Sequence, residues 1–351
     1  ARATVARHDG DLEGAAKALR AGRRREVLRL ALAGILNVIT VDELGRALSD
    51  VTTTVLTGAL SLAHRYGDGI EFAIIAMGRY GGGELGFGSD ADVIYVYRDV
   101  GAGPEAQARA ERIVHELKRL TDDLRLPLDL DIDLRPEGRN GAIVRSLDSY
   151  RAYYERWSLT WEAQALLRAR AVAGDAPLMA DFTALADTVR YPAEFAEADA
   201  REVRRIKARV ESERLPQAAD PARHLKLGRG SLSDVEWFLQ LLQLQHAAAE
   251  PALATTSTLD ALAAAVDAHL VSAGDAERLR AAWLIASRAR SALTLWSART
   301  SDVLPIDRPQ LDGVARLMGY PAGGASRLEE DYLRTTRLAR QVFERGFYGT
   351  A

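Results

Sequence analysis

The chain of 351 residues has no cysteine, so disulfides, thiolate metal sites and a cysteine nucleophile are excluded, and a reducing compartment suits it. It has no run of 18 apolar residues and no apolar core of a signal peptide at its start, so the expectation is a cytoplasmic protein without a membrane-spanning helix. An excess of one charge is also missing. The 46 basic and 49 acidic residues leave a net charge of −3, a poor electrostatic footprint for nucleic acid. Internal repeats of short period are absent. The first residue is Ala1 rather than Met, which reads as part of a longer protein. The length allows a sizeable core and two or three domains.

What is present is concentrated between Phe72 and Tyr97. The apolar run Phe72–Met77 lacks helical spacing and breaks at Gly78, and a second run, Val93–Tyr97, follows an Asp-Ala-Asp. This pattern predicts strand, glycine turn, strand. Gly78, Gly81, Gly82, Gly83, Gly86 and Gly88 lie between the runs. So many residues without side chains let backbone amides approach a phosphate closely, which makes the turn a candidate triphosphate cradle. No Gly-Lys-Ser/Thr follows, so it is not a Walker A loop, and the glycines run almost directly into Ser89-Asp90-Ala91-Asp92, which does not fit a Rossmann fingerprint. Asp90 and Asp92 are two residues apart at a strand mouth and leave the same face. Two carboxylates ~4 Å apart at an effective dielectric of about 20 repel by ~4 kcal/mol, a cost that a divalent cation turns into a site.

Before this stretch, Asp11–Leu36 carries apolar residues at helical spacing, and Thr40-Val41-Asp42-Glu43 is a capping box for a second helix towards Tyr66, stopped by Gly67 and Gly69. Arg20 and Arg23–Arg25 form a basic cluster that reads first as a solvated face and second as a contact for phosphate or an acidic partner. After it, Pro104 opens a helix through Leu124. Leu128–Arg135 then alternates strictly, with Asp129, Asp131 and Asp133 on one face, and predicts an acidic strand beside the first pair that delivers a third metal carboxylate. Gly141–Val144 is a candidate short strand, and Ser146 caps a helix over Leu147–Trp157. Thr160–Ala173 is expected to be helical, ended by Gly174, with Arg170 suiting the helix dipole. From Asp181 onward strand signals vanish and Arg201–Leu215, Ser233–Ala249, Leu259–Val271, Glu277–Arg299 and Leu328–Arg345 read as a helical bundle. Its least bland stretch is His224–Glu236, where Lys226 and Arg229 sit on a glycine loop and Ser233 with Glu236 reads as a capping box.

Gly78-Arg79, ten further residues, Asp90-Ala91-Asp92 and then an acid-bearing strand resemble the nucleotidyltransferase superfamily that includes DNA polymerase beta. Within it, Gly78–Asp92, Asp131–Gly138, Trp161–Arg170 and Lys226–Glu236 in this order are similar to glutamine synthetase adenylyltransferases. The resemblance spans roughly 72–236. It implies an α+β fold: a small nucleotidyltransferase sheet with flanking helices (67–180), a helical segment before it (1–66) and a C-terminal helical bundle after it (181–351). Of the family's two related catalytic halves, Glu84–Asp90 and Trp161–Arg170 look more like the one that attaches the adenylyl group. Two departures stand out. Asp133 occupies a place that is usually basic in the family, and Ala91 replaces a larger aliphatic. Counting back from Leu134-Arg135-Pro136, the third ligand falls on Asp131.

The resemblance implies that a tyrosine hydroxyl of glutamine synthetase attacks the α-phosphate of ATP by a two-metal mechanism, with Asp90, Asp92 and Asp131 as catalytic metal ligands for magnesium or manganese. Gly78, Arg79, Ser89, Arg135 and Lys226 are its implied nucleotide contacts, and a PII-type signalling protein is an implied regulator; neither nucleic acid nor membrane is expected as a partner. Three other readings stand beside this one: the half that removes the group by phosphorolysis, a template-independent RNA nucleotidyltransferase, and a non-enzymatic module that binds a signalling protein.

Overall fold

Residues 11–157, 160–215 and 220–349 are described by the structure, a computed structural model; the first ten residues of the expected N-terminal helical segment lie outside them. The chain divides into two compact units. The first contains Gly45–Leu85, Asp90–Arg190 and the chain up to Leu32, and the second contains Ala33–Leu44, Gly86–Ser89 and the chain from Tyr191. No helix among the described residues is long and apolar enough to cross a membrane.

Helices α1 (Leu12–Ile35) and α2 (Val41–Ala63), mostly in the first unit but with the end of α1 and the start of α2 counted in the second, precede strand β1 (Ile70–Ala76). The capping box starts α2 as its sequence requires: the Glu43 carboxylate accepts the Thr40 N–H at 2.8 Å. The chain then leaves α2 through a 3-10 turn closed by the Gly67 N–H on the His64 carbonyl. Arg20 and Arg23 donate to the carbonyls of Leu120, Leu126 and Pro127, and Arg24 pairs with Asp123. Of the cluster expected to be solvated, Arg20, Arg23 and Arg24 are therefore a clamp, because carbonyls at and beyond a helix end lack intrahelical partners and guanidinium donors satisfy them, while Arg25 is exposed as expected.

A very short helix α3 (Gly78–Gly81) follows β1, and then strand β2 (Ala91–Asp99), helix α4 (Ala106–Thr121), strands β3 (Leu130–Asp131) and β4 (Arg145–Ser146), helices α5 (Leu147–Trp157) and α6 (Thr160–Leu166), strand β5 (Arg170–Gly174) and helix α7 (Ala176–Arg190). The sheet order is β3-β2-β1-β5, with β4 also on β2. β1 and β2 pair antiparallel from Ile70↔Asp99 to Ala76↔Val93, which is the expected hairpin. β3 and β4 run parallel to β2 at its two ends. One face of the sheet (Ala73, Ile75, Ile94, Val96) packs with Leu147, Tyr150, Tyr154, Leu178 and Phe182. The expected domain boundary at 180/181 therefore falls inside α7, whose apolar residues on both sides of that point cover the sheet.

Two elements differ from the sequence expectation. The stretch Thr160–Ala173 is helical only to Leu166, after which Arg170–Gly174 pairs antiparallel with β1. Alanine and arginine favour helix locally, but the open edge of β1 offers a ladder of hydrogen bonds that local propensity does not outweigh. Gly174 completes the crossing at φ +132°, where a Cβ would stand 2.2 Å from the Phe72 carbonyl. The acidic strand Leu128–Arg135 is likewise cut to two residues. The Asp131 carboxylate accepts the Asp133 N–H at 2.8 Å, an Asx turn that bends the chain out of the sheet. The candidate strand at Gly141–Val144 forms instead at Arg145–Ser146.

The second unit is built from helices α8 (Glu197–Glu213), α9 (Leu232–His246), α10 (Thr258–Asp267), α11 (Ala273–Ser297), α12 (Arg308–Leu317) and α13 (Ala325–Phe343), with a β-bridge between His224 and Val303. Ser257, Ser272 and Asp307 accept N–H groups from the first turns of α10, α11 and α12, which sets those helix starts. The capping box read at Ser233 and Glu236 does not form. Ser231 is the N-cap of α9, and the Asp234 carboxylate accepts the Gly230 N–H at 2.6 Å while pairing with Lys207 and Arg340.

His224 sets a pH limit on this unit. Its Nδ1 accepts the N–H groups of Lys226 at 3.2 Å and Leu227 at 3.0 Å, an arrangement open only to a neutral ring. Burial depresses its pKa; Asp302 opposes this and Lys226 adds to it. The folded value lies below the unfolded one, so the contribution is complete above about pH 6.5 and is lost as pH falls towards the folded value, at up to about 1.4 kcal/mol per pH unit. In urea unfolding at pH 7.5 and 5.5, His224→Asn, which keeps an acceptor but does not titrate, is expected to lose less stability on acidification than the parent. Equal losses would assign the acid sensitivity to other groups.

Candidate active site

The glycine turn is shaped by one close contact. Gly78 has φ +50°, and a Cβ there would lie 2.2 Å from Asp92 Oδ2, so the Asp92 side chain packs directly on the glycine backbone. The two are held together from below by the Met77 N–H, which donates to the Asp92 carbonyl at 2.8 Å. Asp131 is the register partner of Asp92 across the parallel β2–β3 pair, as Leu130 is of Ala91. Paired residues on neighbouring strands project to the same face with backbones about 5 Å apart, so two carboxylates share that face. Asp90 precedes β2 by one residue and is exposed. Among the described residues no three carboxylates or imidazoles converge closely enough to share a metal ion. The donor set nonetheless has the chemistry that magnesium and manganese take, hard carboxylate oxygens, with Asp92 and Asp131 in register on one face.

Of the other aspartates on the acidic stretch, Asp129 has an exposed side chain and Asp133 is ion-paired. The Asp129 carbonyl accepts the Ala91 N–H at 2.8 Å, and Asp133 forms an ion pair with Arg139 at 2.6 Å and lies 3.7 Å from Arg135. The repulsion that the sequence pattern implied for Asp133 is thus relieved by arginine. Arg135 itself is buried and donates to the carbonyls of Ile132, Arg139 and Gly141, so its guanidinium closes its own loop. Arg79 donates its Nε–H to the Glu84 carbonyl at 2.9 Å, across the turn.

Ser89 and Lys226 belong to the second unit. Ser89 Oγ accepts the Gly86 N–H at 3.1 Å and a bond from Arg290 at 3.3 Å. Gly88, at φ +69°, lies against Thr294 and Thr300 so closely that a Cβ would be 3.0 and 2.9 Å from them. Lys226 is exposed, on the loop tied down by His224.

Sequence reasoning missed the support beneath the turn. Arg168 donates Nε–H to the Gly78 carbonyl at 3.1 Å and forms an ion pair with Glu84, and both side chains are about 6% exposed. Arg170 donates to the carbonyls of Gly81 at 2.9 Å and Tyr80 at 3.2 Å. The signal was the pair of arginines two residues apart in Arg168-Ala169-Arg170-Ala171, a strand-like alternation masked by helix-forming residues. Tyr80 is also buried, its pKa raised to about 12 by desolvation, with its hydroxyl bonded to Thr53.

The family model for glutamate-ammonia ligase adenylyltransferase matches residues 1–185, more than half of the chain. The chain belongs to this adenylyltransferase family. It is 67% identical over 351 residues to a bifunctional glutamine synthetase adenylyltransferase/adenylyl-removing enzyme of Leifsonia xyli, covering 99% of this chain and 35% of that protein. Enzymes of the same description from Cutibacterium acnes (47% over 348 residues, 98% and 35%) and Mycobacterium leprae (48% over 346 residues, 95% and 34%) are also similar. The chain thus spans about a third of the length of these relatives. A second model, GlnD PII-uridylyltransferase, matches residues 201–347.

The Gly78 contact in this adenylyltransferase-family chain can be tested by stability alone. Gly78→Ala places a side chain at positive φ and against the Asp92 carboxylate, and is expected to cost at least about 1–2 kcal/mol in urea unfolding. A variant as stable as the parent would show that Asp92 does not rest on this glycine.

Proposed function

We propose that this chain is the adenylyl-attaching half of such an enzyme and moves AMP from ATP to a tyrosine hydroxyl of glutamine synthetase, releasing pyrophosphate. The observation that carries the reading is the in-register pair Asp92 and Asp131 beside a Gly78 that leaves no room for a Cβ. The names of the relatives cover both attachment and removal; the resemblance of the Glu84–Asp90 and Trp161–Arg170 sequences to attaching halves favours the first.

In this proposal Asp92 and Asp131, with Asp90 at the mouth of the strand, would hold magnesium or manganese. Such an ion supplies Lewis-acid polarisation of the phosphoryl oxygens and neutralises the charge of departing pyrophosphate. The tyrosine hydroxyl, with an ordinary pKa near 10, needs its proton taken. Asp131 is the acceptor: its carboxylate is oriented by the Asp133 N–H, and it is half-exposed, open to an incoming hydroxyl. The phenolic oxygen bonds to the α-phosphorus, the bond to the bridging oxygen breaks, and the electron pair leaves on pyrophosphate. Gly78, Arg79 and Ser89 are assigned to the triphosphate and Lys226 to the nucleotide; Arg135, whose donors close its own loop, is assigned a supporting role behind Asp131. The similarity of residues 201–347 to a PII-uridylyltransferase supports a PII-type protein as regulator.

Incubation with ATP, magnesium and glutamine synthetase is expected to add one AMP to the target's intact mass. Production of ADP from adenylylated target and phosphate, without attachment, would assign the chain to the removing half. Asp92→Asn and Asp131→Asn are expected to lower the transfer rate by about 10²-fold or more with an unchanged circular dichroism spectrum. Asp133→Asn, which removes the ion-pair partner of Arg139 and a more distant one of Arg135, is expected to stay close to the parent. The opposite order for Asp131 and Asp133 would move the third carboxylate two residues along the chain.

A further inference from the structure

We infer that the buried Arg168–Glu84 ion pair is a positioning device for the metal carboxylates, a role that rests on the proposed metal site. Its effect reaches Asp92 through Gly78. The Arg168 guanidinium bridges two points of the turn at once, its Nε–H on the Gly78 carbonyl and an Nη on the Glu84 carboxylate. Glu84 in turn binds the turn from its own backbone: its N–H donates to the Arg79 carbonyl at 2.8 Å and its carbonyl accepts Arg79 Nε–H at 2.9 Å. These bonds fix both ends of the segment from Gly78 to Glu84.

The surroundings leave the segment no slack. A Cβ on Gly81 would lie 1.7 Å from the Arg168 carbonyl, and one on Gly45 would lie 3.1 Å from the Glu84 Cα. Since Asp92 Oδ2 lies against the Gly78 Cα, a shift of Gly78 releases or displaces that carboxylate. Arg170 grips the far end, the carbonyls of Tyr80 and Gly81, and does not touch Gly78 in the same way. Removing the guanidinium fork while keeping the charge is therefore the informative change. A lysine has a single ammonium on a flexible stem and cannot hold the carbonyl and the carboxylate in fixed relation.

The readout is manganese affinity of the whole chain, measured from free Mn²⁺ by electron paramagnetic resonance at a temperature well below unfolding. Groups behind metal ligands typically change affinity by 10–100-fold, and Arg168→Lys is expected to weaken Mn²⁺ binding by about tenfold or more while keeping the parent's circular dichroism and cooperative melting. A purely structural pair would lower the melting temperature and leave the affinity of the folded protein within about twofold, which would overturn the inference. If Arg168→Lys does not fold, Glu84→Gln decides by the same criterion, because it keeps the shape and the Gly78 bond but removes the anion that anchors the guanidinium. Asp92→Asn is the control. If it weakens binding and the Arg168 and Glu84 variants do not, the positioning role alone fails; if it leaves binding unchanged, the metal site fails and the inference with it.

Discussion

The contact between the Asp92 carboxylate and the bare backbone of Gly78 is the constraint around which the first unit is arranged. A carboxylate can lie that close only to a residue without Cβ, and Gly78 at φ +50° is also the residue that lets the chain turn directly from β1 into the short helix. Everything beneath it serves to keep that glycine where it is. β1 is held between β2 and β5, the ion pair of Arg168 and Glu84 ties the turn, and Arg170 closes the carbonyls at its other end. Burying such charges gains little net stability, whereas removing one partner leaves an uncompensated charge at a cost of about 3–5 kcal/mol. The pair is better understood as fixing a geometry than as a source of folding energy.

The second unit handles buried charge in a related way. Lys207 is fully buried, bonded to Asp234 and 3.1 Å from Glu211, while Arg340 reaches both carboxylates. Asp234 also accepts the Gly230 N–H, so one carboxylate joins α8, α9, α13 and the loop that bears Lys226. Gly230 itself, at φ +71°, passes so near α13 that a Cβ would lie 1.8 Å from the Thr336 carbonyl. A loop fixed at His224, Gly230 and Asp234 presents Lys226 and Arg229 from a rigid base, with both side chains exposed.

Much of this could be read from the chain. The hairpin of β1 and β2, the capping box at Thr40 and the helical character of residues beyond 190 follow from local chemistry: period and turn residues. Other features depended on partners far along the chain. Arg20, Arg23 and Arg24 look solvated in sequence and are clamps in space, since the carbonyls that Arg20 and Arg23 satisfy and the Asp123 carboxylate that Arg24 pairs with lie about a hundred residues away. α7 and α12 were missed as elements, the first because its apolar positions lie across an expected boundary.

The sequence by itself determined that the chain has a strand, glycine turn and strand with paired acids at its mouth, because backbone freedom and charge repulsion are properties of the residues themselves. Only the tertiary structure decided that Arg170–Gly174 is a strand and not a helix, that Asp133 answers to Arg139, and that Arg135 and Arg168 turn inward to carbonyls. In each case the local preference is worth a few tenths to about 1 kcal/mol per residue, while an unsatisfied edge, carbonyl or buried charge costs more than that. Which such group a residue meets is a matter of where the rest of the chain has been folded.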